Sequence, residues 1–154
     1  MPSPTQYSGR VILAQPGAGE AAVSHSGFNA TASFMDVLFS GSHSAVCQDH
    51  DNKDLFGVDL ENKILCIPQT IGSSAAATIW TVIVERGIAP QAVLFSGPID
   101  SVAACGLVLA NNWAKGDPIT CIDQLGDDFL AAVHNGDRIE ITEDGTVRVE
   151  AADR

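Results

Sequence analysis

The chain has 154 residues, of which 45% are hydrophobic and 18% are charged, so it can fold around a core of its own. We expect one domain, residues 1–154. Its net charge of −11 argues against binding to nucleic acid or to anionic membranes, because both attract basic proteins. No apolar run reaches the ~18 residues of a membrane span, and the N-terminal residues lack the apolar stretch of a secretory signal.

The four cysteines lie far apart and form no C-x-x-C pair. Cys66, Cys105 and Cys121 stand inside apolar runs, so we expect buried thiols. Free thiols indicate a reducing compartment, and we expect a cytoplasmic protein that binds no metal itself. His43 and the run 49–51 (DHD) could suggest metal ligands, but no helix or strand spacing supports that, and a solvated acidic loop is the preferred interpretation.

The first part of the chain predicts extended structure and loops. Residues 9–14 (GRVILA) are typical of a strand, and residues 16–19 (PGAG) predict the turn after it. We expect residues 21–24 to be the partner strand. From residue 26 to residue 62, frequent Gly, Ser, Asn and Asp predict long loops with short extended pieces. Loops of this length in a compact domain are usually functional or partly mobile.

The centre of the chain predicts a strand, a turn and a buried helix. Residues 64–67 (ILCI) form a continuous apolar run, and Pro68 ends the strand because proline has no N–H to donate. The helical run that follows closes at Gly87, and Ser73 or Ser74 is its expected N-cap. The helix is apolar around most of its circumference. Its narrow polar stripe consists of Thr78, Thr81 and Glu85.

The turn between this strand and helix carries two hydroxyl groups, those of Ser73 and Ser74. Free N–H groups and the positive end of the helix dipole meet at such a turn, so it can hold an anion or favour a serine alkoxide. The residue types alone favour a simpler interpretation. In that interpretation a serine only caps the helix and Gly72 only makes the turn.

The second half of the chain repeats the strand–helix pattern. Residues 92–95 (AVLF) predict a second buried strand, Asp100 or Ser101 caps a second helix, and residues 119–122 (ITCI) predict a third strand. Two successive crossovers make these three strands parallel. Gly106 falls on the apolar face of the second helix, which indicates close approach of a neighbouring backbone. That face is predicted to consist of Val102, Cys105, Leu109 and Trp113.

Residues 138–142 and 146–150 both alternate and predict a C-terminal hairpin. A two-residue loop would mix the two faces, whereas a three-residue loop, 143–145, separates them and places Gly145 in the left-handed region. The resulting register pairs Ile141 with Val147, Ile139 with Val149, Glu140 with Arg148 and Arg138 with Glu150. The predicted fold class is α/β, a layered β/β/α domain with a parallel βαβαβ middle, antiparallel strands at both ends and a C-terminal hairpin.

The serine turn matches none of the common catalytic motifs. It lacks the spacing of G-x-S-x-G, no lysine follows Gly72 as a P-loop requires, and no G-x-G-x-x-G opens either helix. None of the four histidines adjoins the turn. Ser73 therefore has no obvious base, acid or metal in its own chain, and the remaining groups of a catalytic site would come from a partner.

The ordered set of motifs resembles the swivel domain, or small subunit, of aconitase X. The strand, Gly-Ser-Ser turn and helix of residues 64–87 match, as does the run 88–94 (IAPQAVL). Further matches are Gly9-Arg10, Leu55-Phe56-Gly57, Asp100 and the closing Asn135-Gly136-Asp137-Arg138-Ile139. The resemblance covers most of the chain and is weakest between residues 26 and 54.

The resemblance implies a swivelling β/β/α fold and a hydro-lyase (dehydratase) subunit. In that family the swivel piece supplies a serine to a site that a larger subunit completes, and an iron–sulfur cluster or iron belongs to that subunit. By analogy Ser73 is the catalytic base, which takes the proton α to a carboxylate while the β-hydroxyl leaves. The resemblance thus implies a heterodimer with a larger aconitase-like subunit, with no cofactor bound by this chain, and it makes catalysis the preferred interpretation of Ser73.

Family members dehydrate cis-3-hydroxy-L-proline or 5-phosphomevalonate, and phosphomevalonate-type relatives tend to have a basic residue just before the Gly-Ser. Here that position is Ile71, preceded by Gln69 and Thr70, so the turn offers a phosphate no positive charge. We therefore expect cis-3-hydroxy-L-proline as substrate and 1-pyrroline-2-carboxylate as product. The expected substrate-binding residues are Gly72, Ser74, Thr70, Gln69 and Ile71.

Two alternatives stay open. One is the small subunit of phosphomevalonate dehydratase, an enzyme of the mevalonate pathway. The other is a non-catalytic docking or regulatory subunit of a larger enzyme, which should tolerate Ser73→Ala.

Overall fold

The computed structural model describes residues 3–153, within which the chain forms eight strands and five helices. The strands are β1 (Thr5–Tyr7), β2 (Arg10–Leu13), β3 (Gly17–Val23), β4 (Ile64–Ile67), β5 (Ala92–Phe95), β6 (Thr120–Asp123), β7 (Arg138–Ile141) and β8 (Val147–Glu150). The helices are α1 (Ala30–Ser33), α2 (Met35–Phe39), α3 (Ala76–Glu85), α4 (Ser101–Trp113) and α5 (Asp127–Ala132). None of these helices is long and apolar enough to cross a membrane.

The middle of the chain is the predicted parallel unit, β4–α3–β5–α4–β6. The strands pair in parallel, with Ile64 opposite Ala92 and Ala92 opposite Thr120. Every residue of the three strands is buried, because both faces of this part of the sheet are covered. The structure adds β3 as a fourth parallel strand beside β4, which the sequence did not predict.

Strand β3 joins two halves of a curled sheet whose order is β1-β8-β7-β3-β4-β5-β6-β2. Its first residues pair antiparallel with β7, and residues 21–23 pair in parallel with β4. Alternate residues of β4 serve two cores: Ile64 and Cys66 pack against the antiparallel strands, while Leu65 and Ile67 pack against α3 and α4. The layers are therefore β/β/α, as predicted.

The predictions for residues 16–24 are wrong. Residues 16–19 form no turn, since Gly17–Val23 is one continuous strand, and residues 21–24 do not pair with β2. Instead β2 pairs antiparallel with β6, with Arg10 opposite Asp123. The turn propensity of residues 16–19 gave the wrong prediction, because hydrogen bonding of β3 to strands on both of its sides overrides that local preference. Gly19 lies close to the backbone of Asn62. A Cβ added to Gly19 would be 3.3 Å from the Asn62 carbonyl oxygen.

The segment 26–62 is more ordered than predicted. It contains α1 and α2, and Phe28 and Phe34 pack on the buried Trp80 with ring centroids 6.1 and 6.3 Å apart. Leu55 and Leu60 are also fully buried. These apolar residues are scattered without a period, so each anchors the segment without producing a helix or strand pattern.

Helix α4 begins as predicted but buries another face. The Asp100 side chain accepts hydrogen bonds from the first turn of the helix, which makes it the N-cap. The buried residues are Ala103, Gly106, Leu107 and Ala110. Of the predicted face, Val102 and Leu109 are half-buried, Cys105 is exposed, and Trp113 is 75% exposed. The predictions of an apolar face at Cys105 and Trp113, and of a buried Cys105, are therefore wrong.

Close packing of α3 and α4 explains this reversal. A Cβ on Gly106 would lie 2.7 Å from Trp80 Cδ1 and 2.8 Å from the backbone of Ala77, as the predicted close approach requires. Two helix backbones this close leave room only for small side chains at the point of contact, which is why Gly106 lies there and the bulky Trp113 does not. Cys66 and Cys121 are buried as predicted, and Cys47 is buried as well.

The C-terminal hairpin forms in the predicted register. Ile141 lies opposite Val147 and Ile139 opposite Val149, and both pairs are buried. Gly145 has φ +83°, in the left-handed region. The structure adds a strand that was not predicted, because β1 pairs antiparallel with β8.

Candidate active site

Four loops lie at the carboxyl edge of the parallel strands. Residues 24–29 follow β3, residues 68–75 follow β4, residues 96–100 follow β5 and residues 124–126 follow β6. The carboxyl ends of parallel strands share one edge, and ligands of open α/β sheets bind there. The serine turn, residues 68–75, is therefore at the edge where this architecture places binding sites.

The first half of the serine turn is held by the segment after β3. The Phe28 N–H donates to the Gln69 carbonyl oxygen at 2.9 Å, and the Ile71 N–H donates to the Phe28 carbonyl oxygen at 3.0 Å. These two bonds form a parallel bridge between Phe28 and Thr70. Because Phe28 is itself fully buried, the bridge fixes the turn to the core.

Gly72 reverses the chain directly before the serines. Its φ is +100°, and an added Cβ would lie 2.7 Å from three side-chain atoms of Asn29. Asn29 is itself fixed, because its Oδ1 accepts the Ala32 N–H at 3.1 Å and caps α1. Only glycine suits both the dihedral angle and the space.

The prediction that Ser73 or Ser74 is the N-cap of the central helix is wrong. Helix α3 starts at Ala76, and its N-cap, Ala75, makes no side-chain capping bond. A tight turn precedes the helix, in which the Ala76 N–H donates to the Ser73 carbonyl oxygen at 3.0 Å. The Ser73 Oγ accepts the Ala75 N–H at 3.1 Å. The Ser73 hydroxyl thus meets one free backbone donor at the start of α3, and both serines are exposed.

The residues predicted to bind substrate differ in exposure. Gln69, Gly72 and Ser74 are exposed, and Ile71 is 49% exposed. Thr70 is half-buried, and its hydroxyl donates to Oδ2 of Asp100. Residues 68–75 include no charged side chain. The loop therefore presents hydroxyl, amide and apolar groups to the surface, but no cation.

An ion pair at the same edge was not predicted. Arg10 Nε donates to Asp123 Oδ1 at 3.0 Å and Arg10 Nη2 donates to Oδ2 at 2.7 Å, while the Ile99 N–H also donates to Oδ2 at 2.8 Å. Burial raises the pKa of Asp123, but these hydrogen bonds outweigh it and hold the pKa below its ordinary value. The sequence feature that marks this ion pair is Gly9-Arg10, one of the motifs that resemble aconitase X, but the sequence does not indicate that Arg10 pairs with Asp123.

The second half of the serine turn, residues 71–75, is exposed. A cavity of about 320 Å³ is at the opposite edge of the sheet, where residues such as Gly17, Gln91 and Thr120 begin or precede strands, and Ser73 is not part of its lining. Among the described residues, Ser73 thus lies outside this cavity.

Comparison with known proteins identifies the family of this chain. Residues 6–149 match the family model of the aconitase X swivel domain. The chain belongs to the aconitase X swivel domain family. This family ties it to hydro-lyases of the aconitase X type and implies a larger aconitase-like partner.

Two solved structures share the fold of this aconitase X swivel domain. The crystal structure of Thermococcus kodakaraensis aconitase X in its holo form has a TM-score of 0.76 at 21% identity, over 96% of this chain and 99% of that one. The solution NMR structure of a UPF0107 protein has a TM-score of 0.73 at 20% identity, over 96% of this chain and 100% of that one. The comparison with curated proteins finds no significant match.

In the part of the chain that the structure describes, the side chains able to bind a metal are dispersed. Within residues 3–153, no three His, Cys, Asp or Glu side chains are grouped as a metal site requires. His50 of the acidic loop stacks on Phe56, with ring centroids 4.3 Å apart, and His25 lies 3.6 Å from Asp54. The three buried cysteines are dispersed through the two cores.

Proposed function

We propose that this swivel domain supplies Ser73 as the base of an aconitase X-type hydro-lyase that dehydrates a small hydroxy acid. The observation that carries the proposal is the position of the Ser73 hydroxyl. The chain belongs to the aconitase X swivel domain family, and its Ser73 hydroxyl is exposed at the carboxyl edge of the sheet, where it accepts the Ala75 N–H at the start of α3.

In the proposed reaction, Ser73 acts as an alkoxide. Its Oγ takes the proton from the carbon next to the substrate carboxylate, the carbon–carbon double bond forms, and the β-hydroxyl leaves with a proton as water. The Ala75 N–H and the positive end of α3 stabilise the negative oxygen. Since residues 68–75 carry no cation, a positive group for the alkoxide and the carboxylate comes from the partner. Closure by the partner also excludes water, which strengthens these interactions.

We propose cis-3-hydroxy-L-proline as the substrate. Loss of water first gives an enamine with a C2=C3 double bond, which becomes the product, 1-pyrroline-2-carboxylate, when the ring nitrogen loses its proton and C3 gains one. Gln69 and Ile71 are exposed in the same turn as Ser73, and neither carries a positive charge that could form an ion pair with a phosphate. Arg10 stands at the same edge, but both of its bonds go to Asp123. The alternative substrate, 5-phosphomevalonate, would need its cation from the larger subunit.

We further propose that residues 1–154 form one swivel domain that works in the cytoplasm as a heterodimer with a larger aconitase-like subunit. The iron–sulfur cluster or iron implied by the resemblance belongs to that subunit in this proposal.

The test compares the isolated chain, the larger subunit alone and the two together. Each is offered cis-3-hydroxy-L-proline and 5-phosphomevalonate under the same conditions. We expect turnover only by the pair, and only of cis-3-hydroxy-L-proline. Turnover by either subunit alone refutes the shared site. A clear preference for 5-phosphomevalonate refutes the proposed substrate and leaves the role of Ser73 intact.

A non-catalytic docking role is the second candidate, and an outward apolar face of α4 favours it. On that face Cys105 is exposed, Val108 is 38% exposed and Trp113 is 75% exposed. A docking subunit keeps full activity of the pair after Ser73→Ala, and a catalytic one does not. In the docking case Trp113→Ala weakens assembly more than any change at the serine turn.

A further inference from the structure

Thr70 and Asp100 link the serine turn to the next crossover of the sheet. Thr70 lies in the turn after β4, three residues before Ser73, and Asp100 lies in the loop after β5. The Thr70 hydroxyl donates to Asp100 Oδ2. Thr70 is half-buried, so this bond is partly shielded from water.

The Asp100 carboxylate is held firmly by its own helix. Its Oδ1 accepts the N–H groups of Val102 and Ala103, at 2.9 and 3.0 Å, and so caps α4. Both carboxylate oxygens are therefore engaged, one by α4 and the other by Thr70. A side chain with three hydrogen bonds has little rotamer freedom, so it is a rigid acceptor for the serine turn.

The residue before Asp100 is fixed in turn. The Ile99 N–H donates to the buried Asp123, which also receives both bonds from Arg10. Successive links therefore cross the carboxyl ends of β6, β5 and β4, and they end at Thr70. Among residues 3–153, no link of this kind holds Ser73 itself, whose hydroxyl and carbonyl oxygens accept only the local N–H groups of Ala75 and Ala76.

We propose that Thr70 and Asp100 are positioning residues, which fix the serine turn so that the Ser73 hydroxyl stays at the start of α3. This inference rests on the proposed function of Ser73, and it gives Thr70 a different role from substrate binding. Without the link, the chain between Thr70 and the Gly72 reversal gains conformational freedom, because the Phe28 bridge then holds it from one side only.

A first test needs neither partner nor substrate. Ser73→Cys is introduced together with Cys105→Ser, which removes the exposed thiol and leaves the three buried ones. The pH dependence of iodoacetamide alkylation then gives the pKa of the introduced thiol. We expect it below the ordinary ~8.5, because a helix N-terminus favours the thiolate.

In that background, Thr70→Val should raise the thiol pKa by roughly 0.5 unit or more. Thr70→Ser keeps the hydroxyl and should leave the thiol pKa at the value measured with Thr70 in place. Asp100→Ser keeps an oxygen that can cap α4 but removes the partner of Thr70. Because it also removes a negative charge, which alone lowers a thiol pKa, the informative comparison is whether Thr70→Val still raises the pKa in the Asp100→Ser background. The double variant should add nothing further. Tryptophan fluorescence checks that each variant is folded. If Thr70→Val is folded and the thiol pKa is unchanged, the proposal is overturned.

The second test uses the assembled pair and the substrate it turns over. We expect Thr70→Val to lower kcat about 10- to 100-fold with KM changed less than about twofold, because a misplaced base slows the chemical step. Thr70→Ser should recover kcat. A raised KM with unchanged kcat would make Thr70 a substrate ligand and overturn the inference. Full activity of Ser73→Ala would instead overturn the proposed function, and the thiol measurement would still decide the positioning role.

Discussion

Gly106→Ala is a sensitive test of the close packing of α3 and α4. In an ordinary exposed helix this change gains about 1 kcal/mol of stability, because alanine has the higher helix propensity. Here the new Cβ would lie 2.7 Å from Trp80 Cδ1 and 2.8 Å from Ala77 Cα and carbonyl oxygen. Carbon atoms prefer a separation of about 3.5–4.0 Å, so the two helices must move apart by roughly 1 Å.

The cost should fall at the upper end of the usual range for overpacking, about 3 kcal/mol, because the atoms in the way belong to backbone and to a fully buried ring. Subtracting the propensity gain leaves a net loss of about 2 kcal/mol. For a chain of this length that corresponds to a fall in Tm of roughly 4–8 °C.

Urea unfolding followed by tryptophan fluorescence measures this loss. Trp113→Phe is made first, because Trp113 is exposed and Trp80 then reports on the α3–α4 contact without background. The matched control is Cys105→Ala on the exposed face of α4, expected within about 0.5 kcal/mol of the parent. If Gly106→Ala is as stable as the parent or more so, the reasoning is wrong.

Two further predictions concern charge and thiols. The pKa of Asp123 is lowered by folding, so its contribution to stability is present above the ordinary value of 3.8 and is lost as the pH falls through the folded value. Asp123→Asn weakens the hydrogen bonds with Arg10 and should cost about 2 kcal/mol of stability at pH 7. Urea titrations should show that the difference in stability between parent and variant narrows below pH 3.8, and a difference that stays constant contradicts this. In the native chain, Cys105 alone should react rapidly with Ellman's reagent, because Cys47, Cys66 and Cys121 are buried and burial raises the pKa of Cys121 to about 12. A second rapidly reacting thiol would contradict the burial pattern.

The parallel middle and the hairpin could be predicted because their signals are local. The run Ile64–Ile67 is apolar throughout and ends at a proline, and the second crossover repeats the pattern. In the hairpin, Ile141 can face Val147 only with a three-residue loop, so burial of one face fixes the register.

The errors arise where a third element decides. The buried face of α4 depends on how closely α3 approaches, and Gly106 marks that contact without showing that bulky Trp113 must lie outside it. The start of α3 depends on a tight turn that displaces the serines from the capping position. Pairing of β3 with both β4 and β7 joins residues distant in sequence, and local turn propensity carries no information on it.

At the site, the sequence pointed to the serine turn but not to what surrounds it. Asn29, Asp100 and Phe28 contact the turn from other loops, at least 25 residues away in the chain. The hydroxyl of Thr70, a residue predicted to bind substrate, donates to Asp100, and only the three-dimensional arrangement reveals this contact.

The most direct test of the central claim is kcat of the assembled pair carrying Ser73→Ala, with Ser74→Ala as the matched control. The two serines are adjacent and both exposed, but the Ser73 Oγ alone accepts the Ala75 N–H. We predict that Ser73→Ala lowers kcat by several orders of magnitude while the pair still assembles, and that Ser74→Ala has a small effect. Activity close to the parent in Ser73→Ala, or equal large losses at both positions, would contradict the assignment of Ser73 as the base.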